Sequence, residues 1–169
     1  GRSGESVLDL PCGAGRLRPW LVDERGHELL QADGALAMLQ QARAAGHAGA
    51  QLVQADARSM PFDNGAVDGV VLFRFLHHLD GDARRAVVAE ACRVGRRFVT
   101  VSFFHPLSCH HLQRRLRQLT GAPPTRFAVT LGRLRAEFAA HGFRLMTHVA
   151  DRRYARDLWL ATFERSAGR

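Results

Sequence analysis

Short apolar runs with strand character alternate with segments of helical spacing along most of the chain, and that alternation leaves few architectures open. Ser6-Val-Leu-Asp-Leu10 reads as a buried strand, and Arg16 to about Arg25 as a helix closed by Gly26. Glu28–Asp33 and Gln51–Ala55 read as strands around a helix over Ala35–Ala45. Val67–Phe73 is nearly continuous in apolar residues, as a strand buried on both faces should be. Asp82–Arg93 reads as a helix and Arg97–Phe104 as a strand. Parallel strands need crossover connections, usually helical, so this order predicts a mostly parallel sheet with helices on both faces. Thr130 is placed to cap a helix running to about His141, with Gly142 just past its end. Phe143–Val149 and Asp157–Phe163 then follow one another with no helix between them, which predicts an antiparallel hairpin at a sheet edge.

The 169 residues suit one domain, and the 46% hydrophobic and 24% charged fractions are globular values that exclude a disordered chain. No segment approaches the roughly 20 apolar residues of a membrane span, and no signal-peptide pattern is visible. Cys12, Cys92 and Cys109 are too few and too scattered for a disulfide framework or a CxxC metal site, which fits a cytoplasmic protein. All 24 basic residues are arginine, as a GC-rich genome alone could produce. Codon usage does not explain their distribution. Residues 1–80 hold seven arginines against ten acids, whereas residues 81–169 hold 17 against six. A basic half points to an anionic partner such as a phosphate, a sugar acid, a nucleic acid or a membrane surface.

The strongest local signal is Asp9-Leu-Pro-Cys-Gly-Ala-Gly15, between the first strand and the first helix. Gly13 and Gly15 allow a sharp turn and close approach of a ligand to the backbone, and the following helix directs its first amides at it. Two acids fall at the carboxyl ends of the next strands. Asp33 is placed to accept both hydroxyls of a ribose. Asp56 is placed to accept the exocyclic amine of an adenine, with the Ala57 amide near the ring edge. Each acid alone is more often a helix cap or a solvated loop residue; three such signals at successive strand ends favour a nucleotide-like ligand.

These residues carry a resemblance. Val7-Leu-Asp-Leu-Pro-Cys-Gly-Ala-Gly-Arg16, Gln31-Ala-Asp33 with Ala37-Met-Leu-Gln-Gln-Ala-Arg43, Gln54-Ala-Asp-Ala57 with Met60-Pro-Phe62, and Val67-Asp-Gly-Val-Val71 leading to Leu76-His-His-Leu79 resemble class I S-adenosylmethionine-dependent methyltransferases of the small-molecule, type 11 kind. The resemblance implies a Rossmann-like, doubly wound α/β fold: a seven-stranded, mostly parallel sheet with an antiparallel terminal hairpin, in one domain spanning residues 1–169. It implies S-adenosyl-L-methionine as cofactor and S-adenosyl-L-homocysteine as product. Asp9, Gly13 and Gly15 would hold the methionine moiety, and Asp33 the ribose. Gly34 and Met38 would flank the adenine, Asp56 and Ala57 would take its edge, and Phe73 would offer its carbonyl to the methionine amine. The sequence departs from the family at Pro11, at Gly34-Ala35 in place of a hydroxyl cap, and at the short Val94-Gly-Arg-Arg97 before the fifth strand. The family's leading helix has no counterpart before Ser6, which would leave the cofactor site open on one side.

The acceptor side is less defined. His105 follows the fifth strand, where it could act as a general base or merely cap a turn before Pro106. Arg74 follows the fourth strand, where it could bind an anionic substrate or only cover the sheet edge. A basic helical insertion over about 105–126, with Arg114 and Arg117 near one another, could form an electropositive lid over a small-molecule acceptor or be a solvated face. RNA fits less well because aromatics for base stacking are few there. A DNA amine is disfavoured because Leu72-Phe-Arg-Phe75 is not the usual proline-rich motif. No metal is expected: His77-His78 and His110-His111 are adjacent pairs, and neighbours in a helix do not face the same way. Two alternatives stay open: a catalytically silent methyltransferase-like binding domain, motivated by the short segment before strand five and the missing leading helix, and a nicotinamide-binding Rossmann protein, which would need a glycine where Arg18 stands.

Overall fold

The computed structural model describes residues 3–45, 51–106, 126–150 and 158–166. Seven strands are present: β1 (Ser6–Asp9), β2 (Glu28–Asp33), β3 (Gln51–Gln54), β4 (Val67–Leu72), β5 (Gly95–Phe104), β6 (Phe143–Ala150) and β7 (Leu158–Arg165). They form one sheet in the order β3-β2-β1-β4-β5-β7-β6. The first five strands pair in parallel, and β7 runs antiparallel to both β5 and β6. Chain order reverses between β1 and β4, so the crevice where an open α/β sheet takes its ligand lies beyond the carboxyl ends of these two strands.

Side-chain alternation along the strands divides the molecule unequally. Leu8, Val70, Leu72, Val101, Phe103 and Phe163 face helices α2 (Gly81–Val94) and α3 (Leu131–Ala139) in a continuous buried core. Within it Phe138 stacks on Phe163 with ring centroids 3.9 Å apart. A buried ion pair, Arg84 with Glu137 at 2.8 Å, joins α2 to α3. Among the described residues the opposite face carries a small cluster of Val7, Leu21 and Val71, with Leu17, Leu29, Phe73 and Phe98 against it. Beyond that cluster an open groove of about 1160 Å³ follows the flank of the sheet, with Phe98 and Leu160 in its wall.

Gly69 is forced by that face. A Cβ there would fall 2.1 Å from the Phe98 ring, which lies across it. Gly69→Ala should therefore cost about 1–3 kcal/mol in urea denaturation, as overpacking generally does. Adding Phe98→Leu should recover most of that loss.

The elements follow local chemistry, with some differences from expectation. The helix expected over Arg16–Arg25 is a five-residue π-helix, Pro19–Asp23. Pro19 opens it, as proline's fixed φ favours, and Gly26 at φ 65° ends it. Helix α1 (Leu36–Ala44) has no side-chain cap, consistent with Gly34-Ala35 before it. Thr130 caps α3 as expected, its hydroxyl accepting the Arg133 N–H. Asp80, not foreseen as a cap, accepts the Ala83 N–H at the start of α2. Helix α2 ends at Val94 and β5 starts at Gly95, so the short segment between them is absorbed into the strand. Most of the predicted basic insertion, including Arg114, Arg117, His110, His111 and Cys109, lies outside the described residues. No helix among the described residues is long and apolar enough to cross a membrane.

Candidate cofactor site

The turn after β1 is tied down on both sides. The Leu10 N–H donates to the Val71 carbonyl of β4 at 3.1 Å, and the Cys12 N–H donates to the Ala32 carbonyl of β2 at 2.8 Å. The chain can then turn only through the left-handed region, and Gly13 (φ 55°) and Gly15 (φ 76°) take those positions. A Cβ on Gly13 would meet nothing within 4 Å, so the space above it is open to a ligand. Asp33 fixes the turn from β2. One carboxylate oxygen accepts the Gly13 N–H and the other the Ala35 N–H, each at 2.9 Å.

Asp9 sits beneath this turn with 1% of its surface exposed. Neither carboxylate oxygen has a hydrogen-bond partner among the described residues. Burial pushes its pKa up to about 7; the nearby Gln31 amide offsets this in part without reaching hydrogen-bonding geometry, and the charge of Asp33 adds to it. A buried unpaired carboxylate is costly, and a cationic ligand group is the natural partner it lacks. Cys12 is buried beside both acids. Burial first, then Asp9 and Asp33, push its thiol up to about 12, so it is a packing residue, as its place in the turn suggests.

Asp33, Gly34, Asp56 and Ala57 line one cleft of about 520 Å³, together with Leu10, Pro11 and Phe75. The flank groove is larger, but it contains none of these four residues. Two further residues of this cleft were not foreseen. Phe75 supplies an aromatic wall, and Gln54 donates to the Gly34 carbonyl at 3.1 Å. Asp56 is engaged already: Arg58 holds both its oxygens, the shortest contact being 2.8 Å, and these hydrogen bonds keep its carboxyl below the usual range. That pair is more than half exposed, so it is weak and displaceable. Met38 is half-buried on α1 and does not line the cleft. The Phe73 side chain turns to the groove instead, which leaves only its backbone for the cofactor side.

On the acceptor side, His105 stacks on Trp159 at 4.5 Å, and burial holds its imidazole below the ordinary pKa. The expectation that His77 and His78 face apart is corrected. They lie on a short 3₁₀ turn, Leu76–His78, with ring centroids 4.3 Å apart, and the Nε2 atoms of both meet Arg126 Nη1. Arg126 is long enough to bridge two adjacent rings, which spacing on a helix wheel does not capture. Among the described residues no three His, Cys, Asp or Glu side chains cluster as metal ligands.

A model of the methyltransferase domain family matches residues 7–97, more than half of the chain. The chain belongs to this family. S-adenosylmethionine is the methyl donor of this methyltransferase. Solved structures agree on the fold. Magnesium protoporphyrin IX methyltransferase from Synechocystis PCC 6803, with bound SAH, superimposes with a TM-score of 0.83 at 16% identity, over 97% of this chain and 75% of that one. A SAM-dependent methyltransferase from Methanosarcina mazei gives 0.81 at 17% identity, over 99% and 95%. The YcgJ protein from Bacillus subtilis gives 0.73 at 15% identity, over 99% and 94%. No curated protein matches the sequence. Family membership, with antiparallel β7 inside the sheet, replaces the nicotinamide alternative.

Proposed function

We propose that this methyltransferase holds S-adenosylmethionine with Asp9, Gly13 and Gly15 at the methionine end and with Asp33, Gly34, Asp56 and Ala57 along the nucleoside, and methylates a small-molecule acceptor bearing an anionic group. The observation that carries the cofactor placement is the orphaned Asp9 carboxylate beneath an open glycine turn. When bound, S-adenosylmethionine supplies a methyl group already activated on a sulfonium. The work left to the chain is to bind, orient and exclude water, and orientation alone can contribute roughly 7–11 kcal/mol to such a step. This accounts for a well-formed binding cleft without a conspicuous catalytic constellation. Asp33 fixes the turn through two amides, and the outer face of its carboxylate borders the cleft where ribose hydroxyls would lie. His105, held neutral by burial, is the residue at the β5 end suited to take a proton from the acceptor.

Calorimetric titration of the folded protein with S-adenosylmethionine and with S-adenosylhomocysteine tests the reading. Both should bind, and Asp33→Ala should weaken each by about 1–3 kcal/mol by leaving polar groups unpaired. Failure of the wild-type protein to bind either one overturns it.

A further inference from the structure

We infer that Arg126 forms a receptor for a two-oxygen anionic group, a carboxylate or phosphate, at the acceptor side of the cleft, with Arg74 adding positive charge. The inference rests on the acceptor reading above and assigns its anionic group to particular atoms.

The position of Arg126 is set by its neighbours. Backbone hydrogen bonds from Phe127 to His77 and from Val129 to Phe104, each 2.8 Å, anchor its segment beside the carboxyl ends of β4 and β5. Its guanidinium lies 6.0 Å from the centre of the Phe104 ring, which itself stacks on the buried His77 at 4.0 Å. Among the described residues Nη1 alone is used, meeting the Nε2 atoms of His77 and of His78, the latter at 3.1 Å. Arginine cannot accept a hydrogen bond, so each ring presents a lone pair and both imidazoles are neutral in this arrangement. The histidines therefore orient the guanidinium without neutralising it. Among the described residues Nε and Nη2 have no hydrogen-bond partner. They are the two parallel donors that a carboxylate or phosphate accepts side by side.

Arg74 adds a second cation. Its backbone takes φ 56°, sparsely populated for a residue with a side chain, and its N–H donates to the buried Ser102 hydroxyl at 2.5 Å. No carboxylate pairs with its guanidinium among the described residues. Both cations act on the same group: after burial, Arg126 and then Arg74 hold His78 below its ordinary pKa. The stretch that carries Arg126 supplies no acid of its own, since no Asp or Glu occurs between Glu90 and Glu137. Arg126 with its fork open, and Arg74 whose charge reaches the same histidine, leave an electrostatic deficit that an anion from outside would fill.

The test uses the intact chain and simple probes, inorganic phosphate and acetate, each at constant ionic strength with chloride as the reference. Phosphate, acetate or both should raise the melting temperature of the wild type above chloride, and which of them does so distinguishes the sources. Arg126→Gln should lose most of that shift, Arg126→Lys should recover only part because it keeps the charge without the fork, and Arg135→Gln, at an exposed position of α3, should lose none. If Arg126→Gln fails to fold, Arg74→Gln carries the same expectation. Shifts equal in wild type and both variants, or absent from the wild type, overturn the inference. Titration with S-adenosylhomocysteine on the same samples separates the two readings. Intact binding with a lost anion shift supports the receptor, whereas an anion shift without cofactor binding refutes the methyl-donor reading and leaves the receptor standing.

Discussion

Asp9→Asn should make the ligand-free protein more stable at about pH 8, by about 2–4 kcal/mol in denaturant titration. The sign follows from the direction of its shift. Asp9 is raised from 3.8 to about 7 in the folded state, so between those values the unfolded chain sheds a proton that the folded chain keeps. Its contribution is thus fully favourable below the unfolded value and is lost as pH rises towards 7. Asparagine has no such proton to lose. His27, His78 and His105 pull the other way: their folded pKa values are lowered, so their contributions are complete above about 6.5 and fade as pH falls below it. The difference between variant and wild type cancels the histidines and isolates Asp9. The same substitution should weaken S-adenosylmethionine binding. Wild-type affinity should rise about tenfold per pH unit up to about pH 7, because the carboxylate must ionise to meet a cation. In the variant that slope should be gone. An unchanged stability at pH 8 would show that Asp9 is not a cost to the empty fold.

Arg84→Met should be the most damaging substitution away from the cleft, at about 3–5 kcal/mol. Arg84 is 4% exposed, and its guanidinium meets both oxygens of Glu137 through Nε and Nη2. Removing it leaves a carboxylate buried between α2 and α3 with, among the described residues, Arg133 at 3.4 Å to answer it. Arg84→Met with Glu137→Leu should restore most of the loss, since an apolar pair of similar volume replaces two desolvated charges. Thermal denaturation of the two single variants and the double variant gives the coupling directly. A double variant no more stable than Arg84→Met would mean that packing, not the stranded charge, sets the cost.

The parts of this molecule legible in the sequence are those governed by local chemistry. Periodicity located all seven strands, and Thr130, Gly26 and Gly142 marked ends that the backbone confirms. Asp33, Gly34, Asp56 and Ala57 converge on one cleft because strands in parallel register bring their carboxyl ends to one edge. What escaped depends on contacts between distant segments. Local spacing presents Asp33 as a ligand group or a cap, yet its carboxylate also holds a turn twenty residues earlier in the chain. Met38 has the right spacing on α1 but lies outside the cleft lining. His77 and His78 acquire a shared purpose only through Arg126, 48 residues after His78. Nothing in the local sequence marks Arg84 as interior; tertiary packing against Glu137 makes it so.

The insertion of β7 between β5 and β6 has a consequence for how the chain reaches this state. Before β7 emerges from the ribosome, β5 has a partner on the β4 side only, and β6 has none in the sheet at all. Ten residues of β5, most deeply buried over Val101–Phe103, must wait with one row of amides and carbonyls exposed. Closure therefore comes last and all at once, through pairings that span more than 50 residues. Until then the nascent chain offers an edge that another nascent chain could occupy, and the protein's exposure to aggregation is set by how long synthesis takes to deliver that strand.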